Sequence, residues 1–128
     1  MTLDSSALLA ILFGEPGYLD LVDRILQADA VRVGAPTLAE TAIVLAGKRT
    51  TAKRNALDAL VAELGIDVVP FTADHYTEAE RAYARYGRGR HKAALNFGDC
   101  LSYAIASVAD DTLLFVGDDF THTDINRA

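Results

Sequence analysis

Apolar residues recur along the chain in a pattern that alternates short strands with longer helices. Strands are predicted at 1–4, 31–34, 66–69 and 113–116. Helices are predicted at 6–13, from 16, from 37, from about 51 to 65, at 73–86 and from 98. Alternation of this kind predicts right-handed crossovers and a parallel sheet with both faces covered. The predicted fold is therefore one α/β domain over residues 1–128, with four or five short parallel strands sandwiched between helices.

Local signals predict where some of these elements begin and end. Ser5 and Ser6 are candidate caps for an apolar helix expected to lie in the core. Thr37 is a candidate cap for the third helix, and Glu40 three residues later completes a capping-box spacing. Beyond the last strand, the polar tail 121–128 is expected to fray.

Composition favours an ordered domain in a reducing compartment. Hydrophobic residues make up 51% of the 128 residues, which excludes a disordered chain. No apolar run reaches the roughly 18 residues of a membrane span, and the first residues lack the basic segment of a signal peptide. Cys100 is the one cysteine, so neither an internal disulfide nor a cysteine-based zinc cage is possible. We expect a cytoplasmic protein without a membrane partner.

Charge gives a mixed indication about nucleic acid. The formal net charge of −6 counts against such a partner. Most basic residues, however, fall in two runs, 48–54 and 81–92. Clustered cations are what a phosphate backbone requires, so an RNA-contacting surface is predicted at Arg81, Arg85, Arg88 and Arg90. The alternative is an ordinary solvated helix face.

Four acids are placed where a parallel sheet could bring them together. Asp4 and Asp118 directly follow predicted strands, whereas Glu40 and Asp99 lie in the first turns of predicted helices. In such sheets the binding crevice lies outside the carboxyl ends of the strands. Each acid alone is also an ordinary first-turn or turn residue. A second observation favours a functional role for Glu40. Its side of the helix faces apolar neighbours, and a carboxylate in such surroundings needs a partner.

Converging carboxylates repel one another, and a divalent cation removes the conflict. An all-oxygen ligand set points to Mg²⁺ or Mn²⁺. Such an ion can polarise a phosphoryl oxygen and lower the pKa of an attacking water. Together with the basic residues, this pattern favours hydrolysis of a phosphodiester bond.

Four segments in chain order resemble PIN domains and, more narrowly, the VapC ribonuclease toxins of bacterial toxin–antitoxin modules. They are Leu3-Asp4-Ser5-Ser6-Ala7-Leu8-Leu9, the Pro-Thr-Leu-Ala-Glu that ends at Glu40, Asn96-Phe97-Gly98-Asp99-Cys100, and Val116-Gly117-Asp118-Asp119-Phe120. The resemblance covers residues 2 to about 125. Because all four acidic motifs keep their order and approximate spacing, it is specific.

The resemblance implies an endoribonuclease that depends on Mg²⁺ or Mn²⁺ and has an α/β/α sandwich fold. Asp4 and Asp99 would bind the metal directly, and Glu40 and Asp118 would complete the site. Asp118 is chosen over the adjacent Asp119 because it comes first after the strand. Three further residues would support the site: Ser6, which matches the small hydroxyl residue beside the first acid of many relatives, Asn96 and Asp119.

The family also implies partners. These are a cognate VapB-type antitoxin whose tail covers the acidic site, a second copy of the chain in a homodimer, and a structured RNA substrate, tRNA especially. Two alternatives stay open. One is a catalytically silent PIN-like domain that only binds, and the other is a receiver-like phosphoacceptor module. The receiver is disfavoured because the third strand ends in Val69-Pro70 and no lysine follows Val116.

Overall fold

A four-stranded parallel sheet forms the centre of the molecule. The computed structural model describes residues 1–47 and 51–128. Within them the strands are β1 (Thr2–Leu3), β2 (Arg32–Gly34), β3 (Asp67–Val69) and β4 (Leu113–Leu114). Their order across the sheet is β3-β2-β1-β4, and every neighbouring pair is parallel. The predicted parallel sheet is confirmed, although each strand is shorter than its apolar segment.

Six helices connect the strands in the described part of the chain. They are α1 (Ser5–Phe13), α2 (Tyr18–Gln27), α3 (Ala35–Gly47), α4 (Thr51–Glu63), α5 (Ala73–Tyr86) and α6 (Phe97–Val108). Each corresponds to a predicted helix. Across residues 1–47 and 51–128, we find none with the length and apolar character needed to cross a membrane.

The core lies on both faces of the sheet, which gives the predicted sandwich. One apolar cluster joins Leu3 and Leu114 to residues of α1 and α2, among them Leu8 and Ile25. The other joins Leu113 to side chains from α5, α6 and the segments around them; its larger members are Tyr86, Leu95, Tyr103, Phe115 and Phe120. Successive residues of β4 thus point to opposite faces, as the pleat of a strand requires.

The register of the sheet places one acid at its centre. Thr2 is paired with Arg32 and Leu113, so β1 is hydrogen-bonded on both sides. Asp4 follows β1 directly, and its N–H donates to the Leu114 carbonyl of β4 (3.0 Å). Asp4 is therefore located in the middle of the sheet edge that is formed by the carboxyl ends of the strands.

Close packing at a glycine brings α6 against the sheet. A Cβ atom on Gly34, at the end of β2, would lie 2.8 Å from Cγ1 of Ile105 in α6. Such a separation is well inside normal van der Waals contact, so glycine is required for this approach. The contact anchors α6, whose first turn carries Asp99, over the edge where β2 ends.

Three predictions about ends of elements are wrong. Asp4, and neither Ser5 nor Ser6, caps α1. The third helix begins at Ala35, so Thr37 lies inside it; the Thr37 side chain is buried, with its hydroxyl 3.2 Å from that of Ser102. The tail is held rather than frayed, since the Leu113 N–H donates to a tail carbonyl and the Leu113 carbonyl accepts from a tail N–H.

Candidate metal centre

Asp4 is oriented by the start of α1. It is buried, with 5% of its surface exposed. One carboxylate oxygen, Oδ2, accepts hydrogen bonds from the Ser6 backbone N–H (3.0 Å) and from the Ser6 hydroxyl (2.6 Å). Within the described residues no hydrogen bond reaches the other oxygen, Oδ1. The cap thus fixes the carboxylate and leaves one oxygen available for a ligand.

Ser6, predicted as a supporting residue, links two parts of the site. Its hydroxyl donates to Asp4 and accepts from the Val116 backbone N–H (3.1 Å). Val116 lies in the segment after β4 that leads to Asp118 and Asp119. The serine therefore connects the first acid of the chain to the loop that carries the last ones.

Asp99 is held by a capping box at the start of α6. Asn96 caps the helix, with its side-chain oxygen accepting from the Asp99 N–H (2.9 Å). In return Oδ2 of Asp99 accepts from the Asn96 N–H (2.9 Å). Asn96, predicted as a supporting residue, is thus the cap of α6 and orients the Asp99 carboxylate.

The electrostatics of Asp99 show which acids are its neighbours. Burial raises the pKa of Asp99 to about 6, although the Asn96 N–H acts in the opposite direction. The charges of Asp119, Asp4 and Glu40 also contribute to this raised pKa. Three carboxylates from other parts of the chain therefore lie near enough to Asp99 for their charges to act on it.

Asp119 is an acid of the last loop whose charge raises the pKa of Asp99. Asp118, the residue chosen from the sequence, directly precedes it, and its place as the fourth acid stays a prediction. Both side chains are exposed and follow the glycine turn at Gly117. Strand order alone could not separate two adjacent acids in a loop.

Glu40 reaches the site because α6 has a glycine opposite it. A Cβ atom on Gly98 would overlap Oε2 of Glu40. The carboxylate from α3 thus occupies the space that any other residue at 98 would fill. Since α3 begins before Thr37, Glu40 has no capping function, and its apolar surroundings are consistent with the predicted need for a partner.

The donor set fits a hydrated divalent cation. In residues 1–47 and 51–128, no three His, Cys, Asp or Glu side chains are close enough to enclose an ion together. None of the ion pairs in this part of the chain involves Asp4, Glu40, Asp99 or Asp119. Mg²⁺ keeps several waters and needs only one or two protein carboxylates, so an open arrangement of oxygen donors suits it better than a closed cage.

The predicted RNA-contacting arginines fall into two groups. Arg81 is paired with Glu78 (2.7 Å), and Arg85 is paired with Asp124 (2.9 Å). In the part of the chain that the structure describes, Arg88 and Arg90 form no ion pair, and the Arg90 guanidinium lies 5.6 Å from the centre of the Tyr83 ring. Of the other basic run, Lys48 and Arg49 lie outside the described residues.

An apolar groove beside Glu40 was not predicted. It has a volume of about 850 Å³ and lies between α3, α5 and α6. Ile43 and Phe97 on its walls are 71% and 78% exposed. The sequence signal was the stripe of Tyr76, Ala79 and Tyr83 on α5, which lines this groove. The further lining residues are Pro36, Ala39, Glu40, Val44, Phe71, Glu80, Cys100 and Leu101.

Known proteins are similar to this chain over nearly their full lengths, some in sequence and others in fold. A family model described as PIN domain matches residues 1–126. Ribonuclease VapC36 of Mycobacterium tuberculosis is 44% identical over 126 residues, which cover 98% of this chain and 91% of that protein. Ribonuclease VapC28 of the same species is 43% identical over 129 residues, covering 100% of this chain and 97% of that protein.

Two solved structures support the fold. VapC20 of M. tuberculosis, described as a Sarcin-Ricin loop cleaving toxin, gives a TM-score of 0.79 at 17% identity, covering 99% of this chain and 97% of that one. VapBC2 from Rickettsia felis, solved bound to a DNA fragment from its promoter, gives 0.81 at 13% identity, with coverages of 99% and 96%. This chain therefore has the same overall fold as these two proteins.

Proposed function

This chain belongs to the PIN domain family, and from that premise we propose that it is the ribonuclease toxin of a VapBC-type toxin–antitoxin module. It is a divalent-metal-dependent endoribonuclease that hydrolyses RNA phosphodiester bonds. The observation that carries this proposal is the buried Asp99, whose pKa is raised by burial and by the charges of three other acids. Within the described residues none of these acids forms an ion pair with a basic side chain. The 44% and 43% identical relatives named as ribonucleases support the same activity.

Asp4 and Asp99 would hold the metal, which we propose to be Mg²⁺ or Mn²⁺. Glu40 and one acid of the Asp118–Asp119 pair, with Asp119 favoured, would complete the site. When bound, the metal supplies polarisation of a phosphoryl oxygen and a lower pKa for the attacking water.

The chain itself contributes preorganisation. Ser6 fixes the Asp4 carboxylate, and Asn96 fixes that of Asp99. Both acids therefore need little reordering when a cation or a phosphate arrives, and this lowers the cost of binding. The raised pKa of Asp99 means that protons compete with the cation below about pH 6.

We propose a structured RNA, such as a tRNA, as the substrate. Arg88 and Arg90 are the predicted RNA-contacting residues whose side chains are not already paired with an acid in the described residues. Their segment, 87–95, leads directly into Asn96 and Asp99, so a phosphate backbone bound there would pass close to the acids.

We also propose a VapB-type antitoxin and a second copy of the chain as partners. The groove beside Glu40 is open and largely apolar, which suits a helix or an extended segment of another chain. An antitoxin tail in this position would end near the acids and could cover them.

The proposed function is tested by RNA cleavage in vitro. The purified protein with Mn²⁺ should cut a structured RNA at defined positions, and EDTA should stop the reaction. Asp4→Asn and Asp99→Asn should each lower the rate by at least about a hundredfold, because each removes a metal ligand. Asp29→Asn, at an exposed position away from the site, serves as the matched control. Cleavage at the parent rate by D4N or D99N would contradict the site, and a parent protein that never cuts RNA would favour the silent binding domain.

A further inference from the structure

The end of the chain is attached to the outer edge of β4. The Leu113 N–H donates to the Asn126 carbonyl (2.9 Å), and the Ala128 N–H donates to the Leu113 carbonyl (2.9 Å). These bonds form a parallel bridge between Leu113 and Arg127. The tail therefore continues the sheet beyond β4, on the side opposite β1.

This attachment brings Arg127 to the loop that carries the last two acids. The Arg127 guanidinium lies over the Phe115 ring, 4.2 Å from its centre. Its Nη2 donates to the Gly117 carbonyl (3.1 Å) and, more weakly, to the Phe115 carbonyl (3.4 Å). A planar guanidinium can stack on a ring and donate from its edge at the same time, which a lysine ammonium cannot do.

The loop itself is short and fixed at both ends. Phe115 and Phe120 are buried and contact each other, with ring centres 5.0 Å apart. Between them Gly117 adopts a left-handed conformation (φ 94°), which turns the chain before Asp118. On one side Ser6 holds the Val116 N–H, and on the other Arg127 holds the Gly117 carbonyl. These two lateral hydrogen bonds fix the peptides before Asp118, and the Thr121 N–H donates to the Asp118 carbonyl (3.0 Å) after the turn.

We propose that Arg127 is a positioning residue for the acid loop of the metal centre. This role rests on the proposed function, since the acids that Arg127 positions are those assigned to the metal. Arg127 itself touches neither the metal nor the RNA. It fixes the peptide that precedes Asp118, and so keeps the fourth carboxylate in reach of the cation that Asp4 and Asp99 hold.

The chain offers a matched control for this proposal. Arg24 also holds the tail, by donating to the Ala128 carbonyl (2.9 Å), and it is paired with Asp20 (2.8 Å). No hydrogen bond or ion pair within residues 1–47 and 51–128 links Arg24 to the segment 115–119. Arg24→Met therefore weakens the attachment of the tail, whereas Arg127→Met removes the hydrogen bond to the Gly117 carbonyl.

Two measurements that do not require activity test the proposal. Mn²⁺ binding, followed by the electron paramagnetic resonance signal of free Mn²⁺, should be about tenfold weaker in R127M than in the parent, which is the size expected for losing a group that orients a ligand. Amide hydrogen exchange should be faster across residues 116–121 in R127M. Arg127→Lys, which keeps a charge and a donor, should recover part of both losses, and R24M should match the parent.

Parental Mn²⁺ affinity and loop exchange in R127M would overturn the proposal. Equal losses in R24M and R127M would also overturn it, because tail attachment alone would then be responsible. If R127M is unfolded at the assay temperature, both measurements are made at a lower temperature at which it is folded; the same losses are expected there, and parental values would contradict us. A parent protein that binds Mn²⁺ but cuts no RNA would refute the ribonuclease function and leave the positioning result readable.

Discussion

At the scale of single residues, ionisation of Asp99 lowers the stability of the folded state. Burial comes first among the causes that raise its pKa to about 6, and three neighbouring acids add to it. The unfolded chain has an aspartate pKa near 3.8, so the unfolded state loses this proton at lower pH than the folded state does. The contribution of Asp99 to the stability of the metal-free protein therefore becomes less favourable as the pH rises from about 3.8 to about 6, and it stays unfavourable above that range.

Asp99→Asn should stabilise the metal-free protein at neutral pH. The asparagine oxygen can still accept from the Asn96 N–H, so the cap is kept while the buried charge is removed. We expect the free energy of unfolding at pH 7.5 to rise by roughly 2 kcal/mol, which is the roughly 3 kcal/mol of a pKa shift of this size reduced for solvent screening. The difference should be much smaller at pH 4, where the acid is protonated in the folded state and partly protonated in the unfolded state, whose pKa is near 3.8.

Urea denaturation of the parent and D99N at pH 7.5 and pH 4 measures this difference. Asp29→Asn is the control, since an exposed acid should change stability little at either pH. A D99N protein that is less stable than the parent at pH 7.5 would mean that the Asp99 charge is compensated within the protein.

At the scale of elements, the helices and strands could be predicted but their contacts could not. Periodicity located α5 and α6, because buried stripes depend on local spacing. The start of α3 was missed because proline is well tolerated in a first turn, which let the helix begin before Thr37. The approach of Glu40 to Gly98 depends on how α3 packs against α6, and no local pattern encodes that packing.

Gly98→Ala should separate helix stability from function. Alanine is favoured over glycine in a helix by about 1 kcal/mol, so α6 should not be weakened. Its Cβ, however, would displace the Glu40 carboxylate, which sits at the end of a flexible side chain. We expect an unchanged or slightly higher melting temperature together with a loss of RNA cleavage of about tenfold or more, as for other groups that support a metal site.

Gly47→Ala is the matched control for this substitution. It also places alanine in a helix, α3, but its Cβ would meet no atom within 4 Å among the described residues. Melting curves and cleavage rates of both variants should therefore differ only in the activity of G98A. Parental cleavage by G98A would remove Glu40 from the site.

At the scale of the whole molecule, topology explains why the acids could be predicted to meet. Asp4 follows the central strand of a parallel sheet, and the elements that carry the other acids end or begin at the same edge. The choice between Asp118 and Asp119 depends on a loop conformation. The pairing of Arg81 with Glu78 depends on side-chain rotamers. The attachment of Arg127 depends on where the tail crosses β4. None of these is visible as spacing along the chain.

The distribution of charge over the molecule predicts which arginines contact RNA. Arg88→Glu and Arg90→Glu should weaken RNA binding and make its salt dependence shallower, by about 0.7 in the logarithmic slope for each phosphate that is no longer neutralised. Arg81→Glu should have less effect, because Arg81 is already paired with Glu78. Fluorescence anisotropy with a labelled RNA at several salt concentrations, in the presence of Ca²⁺ in place of Mn²⁺, gives the slopes. Equal slopes in the parent and R88E or R90E would identify these residues as an ordinary solvated surface.

In the proposed metal centre, Asp4 and Asp99 hold one divalent cation, and acids from two further parts of the chain lie close to it. A crystal structure with Mn²⁺, located by its anomalous scattering, tests this arrangement most directly. We predict a strong peak in contact with the carboxylates of Asp4 and Asp99, close to Glu40 and to the Asp118–Asp119 loop, and its disappearance in Asp4→Asn. Mn²⁺ bound elsewhere, or no peak at a concentration that supports RNA cleavage, would contradict it.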